Sequence, residues 1–200
     1  MEDGALLILR AVLEKTIVAF EGAADFARWL QRHHSDHAGI WLRIYKKGSG
    51  KPTVTYAEAL EEALCWGWID GQKQRGDEHS WLQKFTPRGR RSVWSKVNTE
   101  HVGRLEREGR MQAAGRAAVD AARADGRWER AYHSSSTFEM PADFLRALAK
   151  DPPAQRFYES LAKSQRYRIF YRLQSARRPE TRDRRMREFL GMLRRGETLP

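Results

Sequence analysis

At 200 residues the chain has room for one substantial domain, or for one domain with a smaller appended module. Only 40% of its residues are hydrophobic and the mean hydropathy is −0.75, yet seven Trp, eight Phe and six Tyr supply enough buriable area for a proper core, which excludes a disordered chain. The net charge of +11 is uneven: residues 1–70 carry 8 basic and 10 acidic side chains, 71–130 carry 14 and 8, and 131–200 carry 15 and 8, so a basic excess suited to nucleic acid, anionic lipid or an anionic metabolite lies beyond residue 70.

The single Cys65 excludes an internal disulfide framework, and its place in an Ala- and Leu-rich helical stretch reads as buried filler rather than nucleophile. The start MEDGALLILRAVLEK is acidic where a signal peptide is basic. Arg10 and Glu14 break its apolar run well short of a membrane span. The expectation is a cytoplasmic protein with no membrane span.

Residues 5–14 predict a short helix and Thr16–Phe20 a strand or extended lead-in. From Ala23 to His34 the spacing of Phe26, Trp29 and Leu30 gives one apolar helical stripe. Gly39 breaks it. Ile40, Leu42 and Ile44 then alternate with Trp41, Arg43 and Tyr45, the pattern of a half-buried strand, before a turn at KGSGKP. Thr55 and Glu58 form a capping box for a helix with Ala59, Leu60, Ala63 and Leu64 inward, stopping at Gly67. Trp68 to Arg75 and His79 to Phe85 read as a hairpin about a Gly76-Asp77 turn. Ser95 or Asn98 caps a helix to about Arg107, and a second runs from about Gln112 to Ala124. Pro141, Asp151-Pro152, Ser164 and Pro179 mark helix starts beyond the HSSST stretch, and Met186, Phe189, Leu190 and Leu193 form the stripe of the last helix.

Strands with helices between them are the grammar of an α+β fold. The expectation is a small mixed or antiparallel sheet with packed helices over residues 1–132, with 1–15 as an extension. A linker at 133–140 and a three-helix carboxy-terminal module at 141–200 complete it.

The runs EALCWGWIDGQ, FTPRGRRSVWSKVN and RPETRDRRMREFLGML, with FARWLQRHH and GIWLRIYKKGSG, resemble the YdeI/OmpD-associated family, often labelled bacteriocin-protection proteins, over about residues 18–196. The resemblance implies an α+β amino-terminal part and a small helical module. It also implies a link to envelope stress, resistance to membrane-active peptides and porin expression. It brings no catalytic residue set. A net charge of +11 argues against direct capture of cationic peptides, because like charges repel.

The middle hairpin is the most informative stretch. Period two places Trp66, Trp68, Asp70 and Gln72 on one face, and His79, Trp81, Gln83 and Phe85 on the partner strand's matching face. Arg88, Arg91, Trp94 and Asn98 follow directly. Aromatic walls with a few convergent polar groups describe a ligand pocket, with Asp70 and Arg88 or Arg91 holding opposite ends of a small polar or anionic ligand. The competing reading is a sheet face packed on helices. The rival functional surface is a basic stripe at Arg178, Arg182 and Arg185 that contacts nucleic-acid phosphates. Its bland counterpart is a solvated helix laced with ion pairs. His33 and His37, with Asp36 nearby, have metal-ligand spacing, but histidines also sit well at a helix carboxyl end, so no metal and no cofactor is assigned. GSGK lacks the P-loop spacing, and Asp70, His79 and His101 are the residues left for an acid–base group. The favoured function is non-catalytic ligand binding or protection in a stress response. A nucleic-acid-associated regulator is the alternative, and an enzyme acting through Asp70 comes third.

Overall fold

The computed structural model describes residues 16–199 apart from 37, 136 and 177, and the helix expected at 5–14 lies outside the described residues. The chain divides into two compact units. One runs to Ser92 and resumes over Asn98–Glu129; the other holds Val93–Val97 and the chain from Arg130.

In the first unit β1 (Ile17–Ala19), α1 (Ala23–His33), β2 (Ile40–Tyr45), α2 (Tyr56–Cys65), β3 (Trp68–Arg75) and β4 (Ser80–Pro87) precede α3 (Lys96–Arg107), which belongs to this unit from Asn98 on, and α4 (Ala113–Ala124). The sheet order is β1-β2-β4-β3; β1 lies parallel to β2 and the other neighbours are antiparallel. The fold is α+β, as the alternating patterns predict.

Alternation along β2 sets Ile40, Leu42 and Ile44 opposite Phe85, Gln83 and Trp81 of β4. Phe26 and Leu30 of α1, with Val54, Ala59 and Ala63, join the apolar residues of that face in one core. The capping box at the start of α2 forms as predicted: Glu58 N–H donates to Thr55 Oγ1 at 3.3 Å, and Thr55 N–H donates to Glu58 Oε2 at 2.8 Å. The Thr55 N–H, together with the Thr55 hydroxyl that donates to the same oxygen at 2.8 Å, holds the Glu58 carboxyl below its ordinary value.

Helix α4 closes on the carboxyl end of α2. Gln112 N–H donates to the Cys65 carbonyl at 3.0 Å, and a Cβ at Gly115 would stand 2.1 Å from that same oxygen. The helices approach this closely because position 115 has no side chain. Arg110 binds Glu61 at 2.9 Å and Glu62 at 2.7 Å, and Arg104 binds Glu61 and Glu108, so ionic contacts tie α3 and its exit loop to α2. Burial, then Glu62, pushes the Cys65 thiol up to about 11, the behaviour of filler.

Strict alternation fails at one place in the hairpin. Trp68, Ile69 and Asp70 pair with Pro87, Thr86 and Phe85, whereas Lys73, Gln74 and Arg75 pair with Gln83, Leu82 and Trp81. The register shift between Asp70 and Lys73 is a bulge, which turns the following residues over. Lys73, not Gln72, therefore shares the core-side face with Asp70.

The second unit contains α5 (Ala142–Leu148), α6 (Pro152–Ser160), α7 (Lys163–Gln174) and α8 (Pro179–Arg194), which makes four helices among its described residues rather than three. The Pro141 signal opens a short helix of its own. Phe144, Leu148, Tyr158, Ile169, Leu173 and Phe189 belong to its core. Residues 133–140 lie within this unit, where Phe138 packs 5.2 Å from the Phe170 ring. Val93–Val97 joins it through Tyr132, whose N–H donates to the Trp94 carbonyl at 2.9 Å and whose carbonyl accepts Lys96 N–H at 2.8 Å.

Asp151 caps α6, accepting Ala154 N–H, and its second oxygen accepts Arg194 Nε at 2.8 Å. The Arg194 guanidinium holds its carboxyl below the ordinary 3.8, and Arg182 does the same to Asp143. A depressed folded value means that each contribution is fully present above about pH 4 and is lost as pH falls through the folded value. Urea titrations followed by helical circular dichroism are expected to show a steeper midpoint loss below about pH 4 in wild type than in Asp151→Asn. Parallel acid profiles would remove Asp151 from the account.

Candidate functional site

The hairpin residues singled out in the sequence do not form a single open pocket. Trp68 and Phe85 are 0% exposed and belong to the core. Trp68 is fixed further by its indole N–H, which donates to the His34 carbonyl at 2.8 Å. Gln83, 3% exposed, turns its amide onto the bulge and donates to the Gly71 and Gln72 carbonyls at 2.9 and 3.3 Å. For these three the packed sheet face describes the geometry better than a pocket wall. Trp66 follows α2 outside the strand, half-buried, with its ring 5.0 Å from that of His34. Gln72 is exposed at the bulge, and His79 is exposed at the turn, its N–H donating to Asp77. Arg88 is half-buried just past β4, and Arg91 is exposed in the next turn. Trp94 is buried within the second unit, while Asn98 is buried in α3.

Two of the predicted residues, Asp70 and Trp81, are linked through Tyr56 where the sheet face opens. Asp70 is half-buried and accepts the Tyr56 hydroxyl at 2.8 Å. The Tyr56 ring lies 6.1 Å from that of Trp81, and Lys73 Nζ sits over the Trp81 ring at 4.2 Å. Asp70 has no ion-pair partner among the described residues. Two aromatic faces, one carboxylate and one ammonium thus converge on one edge of the first unit. Tyr56 and Lys73 were not singled out from sequence. The signal for Tyr56 was available, since a large aromatic directly after the Thr55 cap stays 37% exposed. Lys73 reaches the site only through the bulge, which no local pattern announces.

The acid–base group is not assembled. Asp70 lies opposite Phe85, six positions along the chain from His79, or about 20 Å of extended strand. His101 instead contacts Arg104, with Nδ1 3.3 Å from Nη2, beside Glu61. His33 bonds Asp36 at 2.9 Å and stacks on Trp29; His37 lies outside the described residues. Among the described residues no three His, Cys, Asp or Glu side chains group as metal ligands. No helix among them is long and apolar enough to cross a membrane.

On α8 the basic stripe is largely engaged within its own unit. Arg182 forms a two-bond ion pair with Asp143 at 2.5 and 3.0 Å, and Arg185 donates to Ser175 Oγ at 3.2 Å and to the Arg172 carbonyl. Arg178 is exposed at the helix cap.

Residues 18–118 match the model of a domain of unknown function, DUF8412, about half of the chain. The chain belongs to the DUF8412 family. A second model, described as bacteriocin-protection, YdeI or OmpD-associated, matches residues 137–196. The expected YdeI/OmpD-associated resemblance is thus borne out over 137–196, while the amino-terminal runs assigned to it belong to the DUF8412 match. Tyr56, Asp70, Lys73 and Trp81 all lie inside the DUF8412 region, and Arg178, Arg182 and Arg185 inside the YdeI/OmpD-associated one. No curated protein and no solved structure matches the chain.

Proposed function

We propose that this YdeI/OmpD-associated protein is a non-catalytic ligand-binding factor with a protective role in envelope or antimicrobial stress. In this reading a small polar ligand lies between Asp70 and Lys73, against the rings of Tyr56 and Trp81. The observation that carries it is Asp70, a half-buried carboxylate oriented by Tyr56 yet without an ion-pair partner among the described residues. Withdrawing a carboxylate from water without a cation costs stability, so such a group is retained where an incoming donor satisfies it. The Trp81 face gives the ligand an apolar wall, and the exposed Lys73, on its flexible four-carbon stem, turns from the ring to meet an acceptor. The stress role is supported by the second family match, and the lone buried thiol suits action in the cytoplasm. Nucleic-acid binding through Arg178, Arg182 and Arg185 is less favoured, because Arg182 and Arg185 already have partners.

Native mass spectrometry of the untagged protein taken from cells tests the site. Wild type is expected to carry a small-molecule mass, and Asp70→Asn or Trp81→Ala to lose it, through an affinity drop of about tenfold or more. A bare wild-type mass, or an adduct unchanged in both variants, would set the reading aside.

A further inference from the structure

The second unit carries a separate feature. Phe138, Met140, Leu145, Tyr158 and Leu161 line an open groove of about 510 Å³, and the other two residues along it, Lys163 and Arg166, are both cations. Leu145 is 43% exposed on α5, and Met140 is half-buried beside it, so the groove presents a connected apolar surface to solvent. Arg166 is held in place at the rim. One of its Nη groups donates to the Glu159 carbonyl, and its guanidinium carbon lies 5.1 Å from the Tyr158 ring centroid. Arg166 forms no ion pair among the described residues, and its Nε is buried there without a hydrogen-bond acceptor. A pre-organised guanidinium without a carboxylate, beside an open apolar floor, is half of a complementary interface.

We propose that this groove docks an acidic amphipathic segment of a partner protein. Apolar side chains at helical spacing enter between α5 and the start of α7, while Asp or Glu residues of the same segment meet Arg166 and Lys163. Charge decides against a second copy, and shape against a lipid surface. A second copy pairing through the same face would bring like cations together, in a stretch with 15 basic and 8 acidic side chains over residues 131–200. A lipid surface is engaged by protruding apolar side chains, whereas of the five apolar residues here only Leu145 is exposed and the others line the groove.

The test uses the full chain and two fluorescein-labelled synthetic helices with the same leucine face, one with glutamate on its polar face and one with lysine. Fluorescence anisotropy is expected to show binding of the glutamate helix that weakens with added salt, and at least about tenfold weaker binding of the lysine helix. Leu145→Glu and Arg166→Glu, both partly exposed and checked for unchanged circular dichroism, are each expected to weaken the glutamate helix about tenfold or more. Equal binding of the two helices, no binding of the glutamate helix at about 100 μM, or full binding by both variants would overturn the proposal. So would a dimer in sedimentation equilibrium that Leu145→Glu dissolves, which would assign the groove to a second copy. Association with phosphatidylglycerol vesicles in place of the peptide would assign it to lipid.

Discussion

Trp68→Ala is expected to destabilise the first unit by about 3–5 kcal/mol, read as a lowered urea midpoint with little change in slope. Trp68 is 0% exposed, and its ring meets Trp29 edge-on at 5.7 Å. Removing it opens a large void between α1 and the sheet that rigid neighbours fill only in part. Its N–H also satisfies the His34 carbonyl just after the end of α1, and losing that bond adds about 1 kcal/mol. Trp68→Phe separates the two contributions, since it keeps most of the volume and loses the hydrogen bond. A Trp68→Ala protein as stable as wild type, but with altered ligand binding, would return Trp68 to the pocket wall that its place in the sequence suggested.

Gly115→Ala tests packing against propensity, because the two predict opposite signs. On an open helix the change stabilises by about 1 kcal/mol, since alanine is the better helix former. At this position the new methyl would stand 2.1 Å from the Cys65 carbonyl oxygen, a backbone atom that cannot swing aside. The two helices must separate, which also lengthens the Gln112 N–H to Cys65 bond and the Arg110 bridges to Glu61 and Glu62. The expected result is a net loss of about 3 kcal/mol, at the upper end for overpacking. A thermal or urea midpoint at or above that of wild type would show that α4 docks more loosely than the geometry implies.

Much of the fold was legible because its signals are local. The Thr55 and Glu58 box, the alternation from Ile40 to Tyr45 and the proline-marked helix starts each depend on residues a few positions apart, and each formed within a residue or two of its expected place. The site was legible in part. A period of two says which residues share a face, but not what covers that face. Trp68 and Phe85 look like pocket walls until α1 and α2 pack on them, Gln83 until its amide turns onto the bulge, and Asp70 and Trp81 remain partly exposed beside Tyr56. The placement of Gln72 and Lys73 depends on a bulge stabilised by the side chain of Gln83, which is more than ten residues away in the chain. Likewise, the arginines of α8 read as an open stripe because Asp143 and Arg172, which engage Arg182 and Arg185, lie on other helices.

That bulge has a second consequence, for how copies of the protein behave toward each other. Among the described residues β3 is an outer strand of the sheet, the kind of border on which a neighbouring chain can build. Its ladder is interrupted midway, the Gly71 and Gln72 carbonyls are occupied by Gln83, and Lys73 and Arg75 place charge along the remainder. An incoming strand finds neither a continuous row of donors and acceptors nor a neutral surface. The distortion that brings an ammonium group onto Trp81 therefore also makes this border a poor template for edge-to-edge pairing.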